Sequence, residues 1–357
     1  AAFLRYAMDT TDGSYHIFVY TRALREYLRS ACSLLDLDLD CVDTLDRWCC
    51  AYYRRALRRS LPRDHEADSV DFAAVRAAVL DRLANDDSDP PYDFVLVDEG
   101  QDLTAEAFAL IDCLGRHVTV CIDHKQQIFE EGSSEPEILA SLGLRRHNLA
   151  LLATYRCTPY IVDLASRLVA DPRHRGEFVN QCRIDGSGRE QPLLYLAADL
   201  EDETRRLAEI LRIRIGRGEK VAVLDPRRNQ MHGVAKALGE RGFEVETKDT
   251  LDFSSNRPKV LTYQSAKGLT FDSVLMPRLV RRSFTREPED LIERLLFVGI
   301  ARAMTWVYLS STEPDSLAPL AKLAKAEDTR SLAVQEAGPT VAAGTAKAGG
   351  AKGNAEG

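Results

Sequence analysis

Phe94-Val95-Leu96-Val97-Asp98-Glu99-Gly100-Gln101-Asp102 is the stretch on which the fold turns. Four apolar residues run together soon after Pro90-Pro91, and two carboxylates follow at once. A short, continuous apolar run predicts a strand buried on both faces, as in a parallel sheet covered by helices. Ligands in that architecture sit beyond the carboxyl ends of the strands, where Asp98 and Glu99 stand. Adjacent carboxylates at such an end suit a Mg²⁺–nucleotide site, one holding the metal shell and the next orienting water. An Asp-Glu pair also opens many solvated loops, so the surrounding chain decides between the two.

Working outward, Ile17–Tyr20 predicts a second buried strand, followed by a helix over Ala23–Ser30. Val42–Trp48 reads as a short strand turning into a helix. Arg54, Arg55, Arg58 and Arg59 lie on the helix after it beside Tyr52 and Tyr53, suiting either backbone phosphates or a solvated face. Downstream of the central strand come a helix over Leu103–Leu114 and a strand over Val118–Ile122. A helix over Pro136–Leu142, a strand over Leu149–Ala153 and a helix over Thr158–Leu168 follow. Pro172–Gln191, with three glycines, reads as a loop. Strands are then predicted at Leu193–Leu196, Val221–Leu224, Val260–Thr262, Val274–Met276 and Val307–Leu309. Helices fall at Glu201–Ile215, Asn229–Arg241 and Leu291–Ala303. This repetition predicts an α/β fold in two domains, 1–148 and 149–315, hinged near Leu149–Arg156. The segment 316–357 reads as a tail; from about Val334 it turns to Ala, Gly, Lys and Thr and predicts disorder.

The 357 residues suffice for two cores. A net charge of −8 argues against a uniformly basic coat but leaves room for a local basic groove. No apolar run approaches the ~20 residues of a membrane span, and no signal peptide opens the chain. Eight scattered cysteines without a C-x-x-C pair predict reduced thiols and a cytoplasmic protein. Cys113, His117, Cys121 and His124 have a tempting spacing for zinc. Strand alternation over Val118–Ile122 would send their side chains to opposite faces, so buried thiols are the preferred reading.

In sequence order these stretches resemble the motifs of superfamily 1 helicases of the UvrD/Rep type. Phe94–Asp102 is similar to motif II, Ile17–Leu24 to motif Ia, and Val42–Trp48 to the Thr-bearing segment after it. Val118–Phe129 is similar to motif III, Leu152–Arg156 to motif IV, Leu261–Asp272 to motif V and Arg294–Ala303 to motif VI. The resemblance spans Ile17–Ser310. It implies two RecA-like (P-loop NTPase) domains with parallel sheets covered by helices, using ATP and Mg²⁺ and acting on single-stranded DNA.

The resemblance also implies roles. Asp98 would hold the Mg²⁺ shell and Glu99 orient the attacking water. Gln126 would sense the γ-phosphate, and Tyr155 would stack on adenine. Arg156 and Arg302 would neutralise charge on the transferring phosphoryl group, which the guanidinium fork suits. Gly268 and Thr270 fall where the family contacts the nucleotide. Tyr20, Thr21, Thr44, Thr262 and Gln264 would line the strand's path.

There are departures. No G-x-x-x-x-G-K-[ST] loop is present, and the chain opens on Ala1. The expectation is that Gly-Lys-Thr or Gly-Lys-Ser lies about ten to twenty residues upstream. Ala301 stands where the family usually has Thr, Thr270 where it has Glu, Thr154 where it has Asn and Gln264 where it has His. Glu130-Glu131 replaces an expected stacking aromatic and Arg. The gaps between motifs are short for accessory inserts, which implies weak unwinding with translocation retained. The implied function is an ATP-dependent DNA helicase or translocase, 3′→5′, in DNA repair or recombination. The alternatives are a nucleotide-dependent switch or scaffold that never translocates, and the motor module of a helicase–nuclease.

Overall fold

The computed structural model describes residues 14–34, 38–64, 68–86, 88–123, 132–145, 156–169, 171–180, 182–183, 190–312, 316–328 and 330–337. In chain order β1 (Tyr15–Val19), α1 (Arg22–Leu34), β2 (Val42–Thr44), α2 (Leu45–Tyr52), the short pair β3 (Arg63–Asp64) and β4 (Ser69–Val70), and α3 (Phe72–Ala84) lead into β5 (Tyr92–Val97). Then come α4 (Ala105–Asp112), β6 (Gly115–Val120), α5 (Glu135–Ser141), α6 (Pro159–Ser166) and α7 (Pro172–Asn180). The second half contains β7 (Leu193–Ala197), α8 (Leu200–Gly216), β8 (Val221–Asp225), α9 (Arg228–Glu240), β9 (Lys259–Thr262) and α10 (Tyr263–Ala266). It closes with β10 (Phe271–Met276), α11 (Glu289–Ile300), β11 (Ala303–Thr312), α12 (Ala318–Ala324) and β12 (Ala333–Glu336).

Two parallel sheets flanked by helices result, an α/β architecture. The first has the order β2-β1-β5-β6 and the second β12-β7-β11-β10-β8-β9. Every pairing within them is parallel. The central apolar run is indeed a strand, but its faces are unequal. Val95 and Val97 are buried among Phe18, Trp48, Phe108 and Ile111. Phe94 and Leu96 are only half-buried, and Phe94 stacks on His117 of β6 at 5.3 Å between ring centroids. One apolar cluster runs on from Tyr15, Val19 and Leu24 of the first sheet layer to Leu261, Tyr263 and Phe297 of the second. The two sheets therefore share a core.

Two sequence expectations are corrected, and one helix was not expected at all. Pro172–Asn180 is the helix α7, not loop: Pro172 sits at its first position, where a missing N–H costs nothing. Phe72–Ala84 is a helix that hydrophobic periodicity did not reveal; it starts where the Asp71 carboxylate accepts the Ala74 N–H at 2.9 Å. The segment placed wholly in a tail is folded as far as Ala337. Leu317, Leu320, Leu323 and Leu332 are buried there, and β12 pairs with β7 as an edge strand. Four leucines supply enough apolar surface to dock that stretch; the Ala- and Gly-rich composition begins later. The expected strand over 149–153 and most of the hinge lie outside the described residues, as do 338–357.

Candidate functional site

Asp98 and Glu99 leave the carboxyl end of β5 as predicted. The Asp98 N–H donates to the Phe18 carbonyl of β1 at 2.9 Å, which holds the turn against the sheet. Glu99 adopts a left-handed backbone conformation, φ 57°. Gly100 follows because a Cβ there would lie 2.4 Å from Val120 Cγ1 of β6. The sharp turn aims Glu99 toward the second sheet. Its carboxylate accepts a hydrogen bond from Gln101 Nε2 at 2.6 Å and lies 3.5 Å from Lys267 Nζ. Gln101, fully buried, also accepts the Asp123 N–H at 2.9 Å, joining the turn to the segment after β6.

Lys267 arrives from the loop after α10 and makes an ion pair with Asp102; both side chains are completely buried. Arg302, 1% exposed, lies at the turn from α11 into β11. Its Nε donates to the Val298 carbonyl at 3.1 Å. Burial pulls the Arg302 guanidinium down from its ordinary value, and the Glu99 carboxylate opposes that pull. Arg156, exposed, precedes Thr158, whose N–H donates to the Met304 carbonyl of β11 at 3.2 Å. Burial, then the neighbouring Glu99 charge, pushes the Asp98 carboxyl up. The Glu99 N–H and the charges of Arg156 and Arg302 pull it back. The charges of Arg156 and Arg302, both from later in the chain, thus act on Asp98, and the charge of Glu99 acts on Arg302.

A cleft of about 940 Å³ is lined by residues of both sheet layers, including Tyr20, Thr44, Asp98, Asp102 and Gln264. The expected threonines have local duties. Thr21 Oγ1 accepts the Leu24 N–H at 3.1 Å, Thr44 Oγ1 the Arg47 N–H at 3.4 Å and Thr262 Oγ1 the Ser265 N–H at 3.2 Å. Each caps a helix start, a role that uses an oxygen lone pair. Gly268 has φ 79°, and a Cβ there would lie 2.6 Å from Leu24 Cδ2 of α1, so close packing of the two layers accounts for the glycine. Thr270 lines a separate cavity of about 150 Å³ with Tyr27 and Phe253, away from Asp98. Gln126, Tyr155, His124 and Glu130-Glu131 lie outside the described residues. Among the described residues no cluster of three or more His, Cys, Asp or Glu side chains is arranged to hold a metal.

Sequence reasoning singled out neither Gln101, Asp102 nor Lys267. All three lie inside the quoted motifs, so the signal was present; their role emerges only when the two sheets meet.

No family model matches the chain, and no curated protein matches it. Among solved structures, the C-terminal domain of a possible DNA helicase from Lactobacillus plantarum WCFS1 is similar at 20% identity and a TM-score of 0.41. That likeness covers 52% of this chain and 100% of that one, and it is too slight to carry a function across. Among the described residues no helix is long and apolar enough to cross a membrane.

Proposed function

We propose that this chain is the motor core of an ATP-dependent DNA helicase or translocase of the UvrD/Rep type, two RecA-like halves that close on nucleotide. The observation that carries the reading is that Asp98 and Glu99 leave the carboxyl end of a parallel strand, with Asp98 lining a cleft to which both sheet layers contribute and feeling the charges of Arg156 and Arg302. ATP would be the substrate at that cleft. Glu99 would orient the attacking water, while Arg156 and Arg302 would neutralise the phosphoryl charge. Asp98 fits Mg²⁺, which prefers one or two carboxylates and retained water; a cation would also relieve the mutual repulsion of Asp98 and Glu99. The ion would supply charge neutralisation on the phosphates. Gln126 and Tyr155 complete the proposed site as γ-phosphate sensor and adenine platform. Direction 3′→5′ and a role in DNA repair or recombination follow the family resemblance.

The test is phosphate release stimulated by single-stranded DNA. Residues 1–357 contain no phosphate-cradling loop, so release by them alone is expected below detection. In a chain that supplies such a loop ahead of residue 1, strand-stimulated turnover is expected. Glu99→Gln should abolish that turnover, and Arg156→Ala should slow it by roughly 10²–10³. Turnover that survives Glu99→Gln overturns the reading.

A further inference from the structure

Cys32 lies in the last turn of α1, and Cys41 ends a short 3₁₀ turn, Leu39–Cys41, that leads into β2. α1 packs against both that turn and β2, and the packing brings the two thiols together. Their side chains are hydrogen-bonding neighbours. Both residues are 5% exposed and belong to the core that the two sheets share. The Cys41 sulfur also reaches the Asp38 carbonyl at 2.7 Å. Other cysteines are placed differently. Cys49 and Cys50 are consecutive on α2, and Cys113 and Cys121 stand at opposite ends of β6. Cys182 donates to the Cys157 carbonyl at 3.7 Å and Cys157 to the Ala301 carbonyl at 3.8 Å, so there each thiol meets backbone.

Cys32 and Cys41 are not equivalent. Burial raises both thiols, Cys41 to about 11. At Cys32 the hydrogen bond with Cys41 and the Arg29 charge favour the thiolate. At Cys41 the Tyr15 side chain favours it, while the charges of Cys32 and Asp38 oppose it. Cys32 is therefore the thiol that reacts first, and Cys41 is already in place to answer it.

We propose that Cys32 and Cys41 form a reversible disulfide, with a peroxide as the oxidant. The Cys32 thiolate sulfur attacks one oxygen of hydrogen peroxide, and the O–O bond breaks. The hydroxide released takes up the thiol's proton and leaves as water, and Cys32 becomes a sulfenic acid. The Cys41 sulfur then attacks the Cys32 sulfur. The S–O bond breaks, and the hydroxyl leaves with the Cys41 proton as a second water. Two thiols are oxidised and one peroxide is reduced. A small neutral oxidant suits sulfurs this buried, and the contact between them lets the disulfide form before further oxidation of Cys32. The bond ties the end of α1 to the start of β2. Both elements carry residues of the cleft, Arg22 at the first position of α1 and Thr44 at the end of β2. Oxidation would thus brace the cleft wall that the first sheet supplies, whatever the cleft binds.

The experiment oxidises residues 1–357, reduced and freed of reductant, with hydrogen peroxide in the absence of denaturant. The chain is then unfolded, alkylated and digested with trypsin. Both cysteines fall in one tryptic peptide, Ser30–Arg47, because no Lys or Arg lies between them. That peptide should lose two hydrogens and resist alkylation, and dithiothreitol should restore both thiols. Closing a loop of this size should shift the folding equilibrium toward the folded chain by on the order of 10–100-fold, read from urea unfolding with and without dithiothreitol. Cys41→Ser should trap Cys32 as a sulfenic acid that labels with dimedone, and Cys32→Ser should leave Cys41 unlabelled. A Ser30–Arg47 peptide that keeps both thiols overturns the proposal, whether or not other cysteines oxidise; this result needs no variant to fold. A bridge from either residue to a third cysteine also overturns it. So does a disulfide that leaves the folding equilibrium unchanged. Dimedone labelling of Cys41 in Cys32→Ser, as fast as that of Cys32 in Cys41→Ser, overturns the assignment of the attacking thiol.

Discussion

Two aspartates at the carboxyl ends of the two sheets show how differently this fold treats a buried charge. Asp102, in the turn after β5, is buried against Lys267 and makes an ion pair that joins the sheets. Asp225, the last residue of β8, is also fully buried, yet neither carboxylate oxygen has a hydrogen-bond partner among the described residues. Its charged surroundings are Arg278, which favours the anion, and Glu203, which opposes it; the Tyr263 hydroxyl beside it is unpartnered too. Burial pushes the Asp225 carboxyl up to about 7. The contrast teaches that burial alone neutralises an acid, whereas burial with a partner turns it into a clamp.

Breaking the clamp should have the largest effect. Lys267→Met leaves Asp102 buried and unmatched and should cost about 3–5 kcal/mol, read from urea unfolding. Adding Asp102→Leu should recover most of that loss, because the stranded charge, rather than the lost attraction, is the expensive part. A double variant as unstable as the single one would show that the clamp does not act as a pair.

The unpartnered aspartate sharpens the comparison through pH. Its folded pKa lies above the ordinary 3.8, so folding favours the proton. The stability it lends is fully present below about pH 4 and is lost as pH rises through about 7. Asp225→Asn should remove that dependence and leave the protein more stable than wild type at pH 8, by roughly 3 kcal/mol once water penetration softens the penalty. Equal slopes of stability against pH between 5 and 8 in the two proteins would contradict this account.

The smallest expected change tests the contact beside the clamp. Gly268→Ala forces a Cβ onto Leu24 and strains a left-handed backbone, and should cost about 1–3 kcal/mol. Leu24→Ala in the same chain should relieve the steric part while leaving the strain. If Gly268→Ala alone is neutral, the two layers are not packed as tightly there as the cleft requires.

Local signals determined much of this protein. The apolar runs at Ile17–Val19, Phe94–Val97 and Val221–Leu224 are strands because their neighbours in sequence bound them tightly. Asp98 and Glu99 follow at a strand end for the same short-range reason, and Thr44 begins a helix by capping it. Hydrophobic periodicity was silent on Phe72–Ala84, and its folded length beyond residue 316 was hidden by the composition that follows. The tertiary structure alone decided the meeting of Lys267 with Asp102, 165 residues apart. It alone decided which aspartate is buried without a partner. Periodicity and capping act over a few residues, whereas desolvation and charge pairing depend on which surfaces the folded chain brings together.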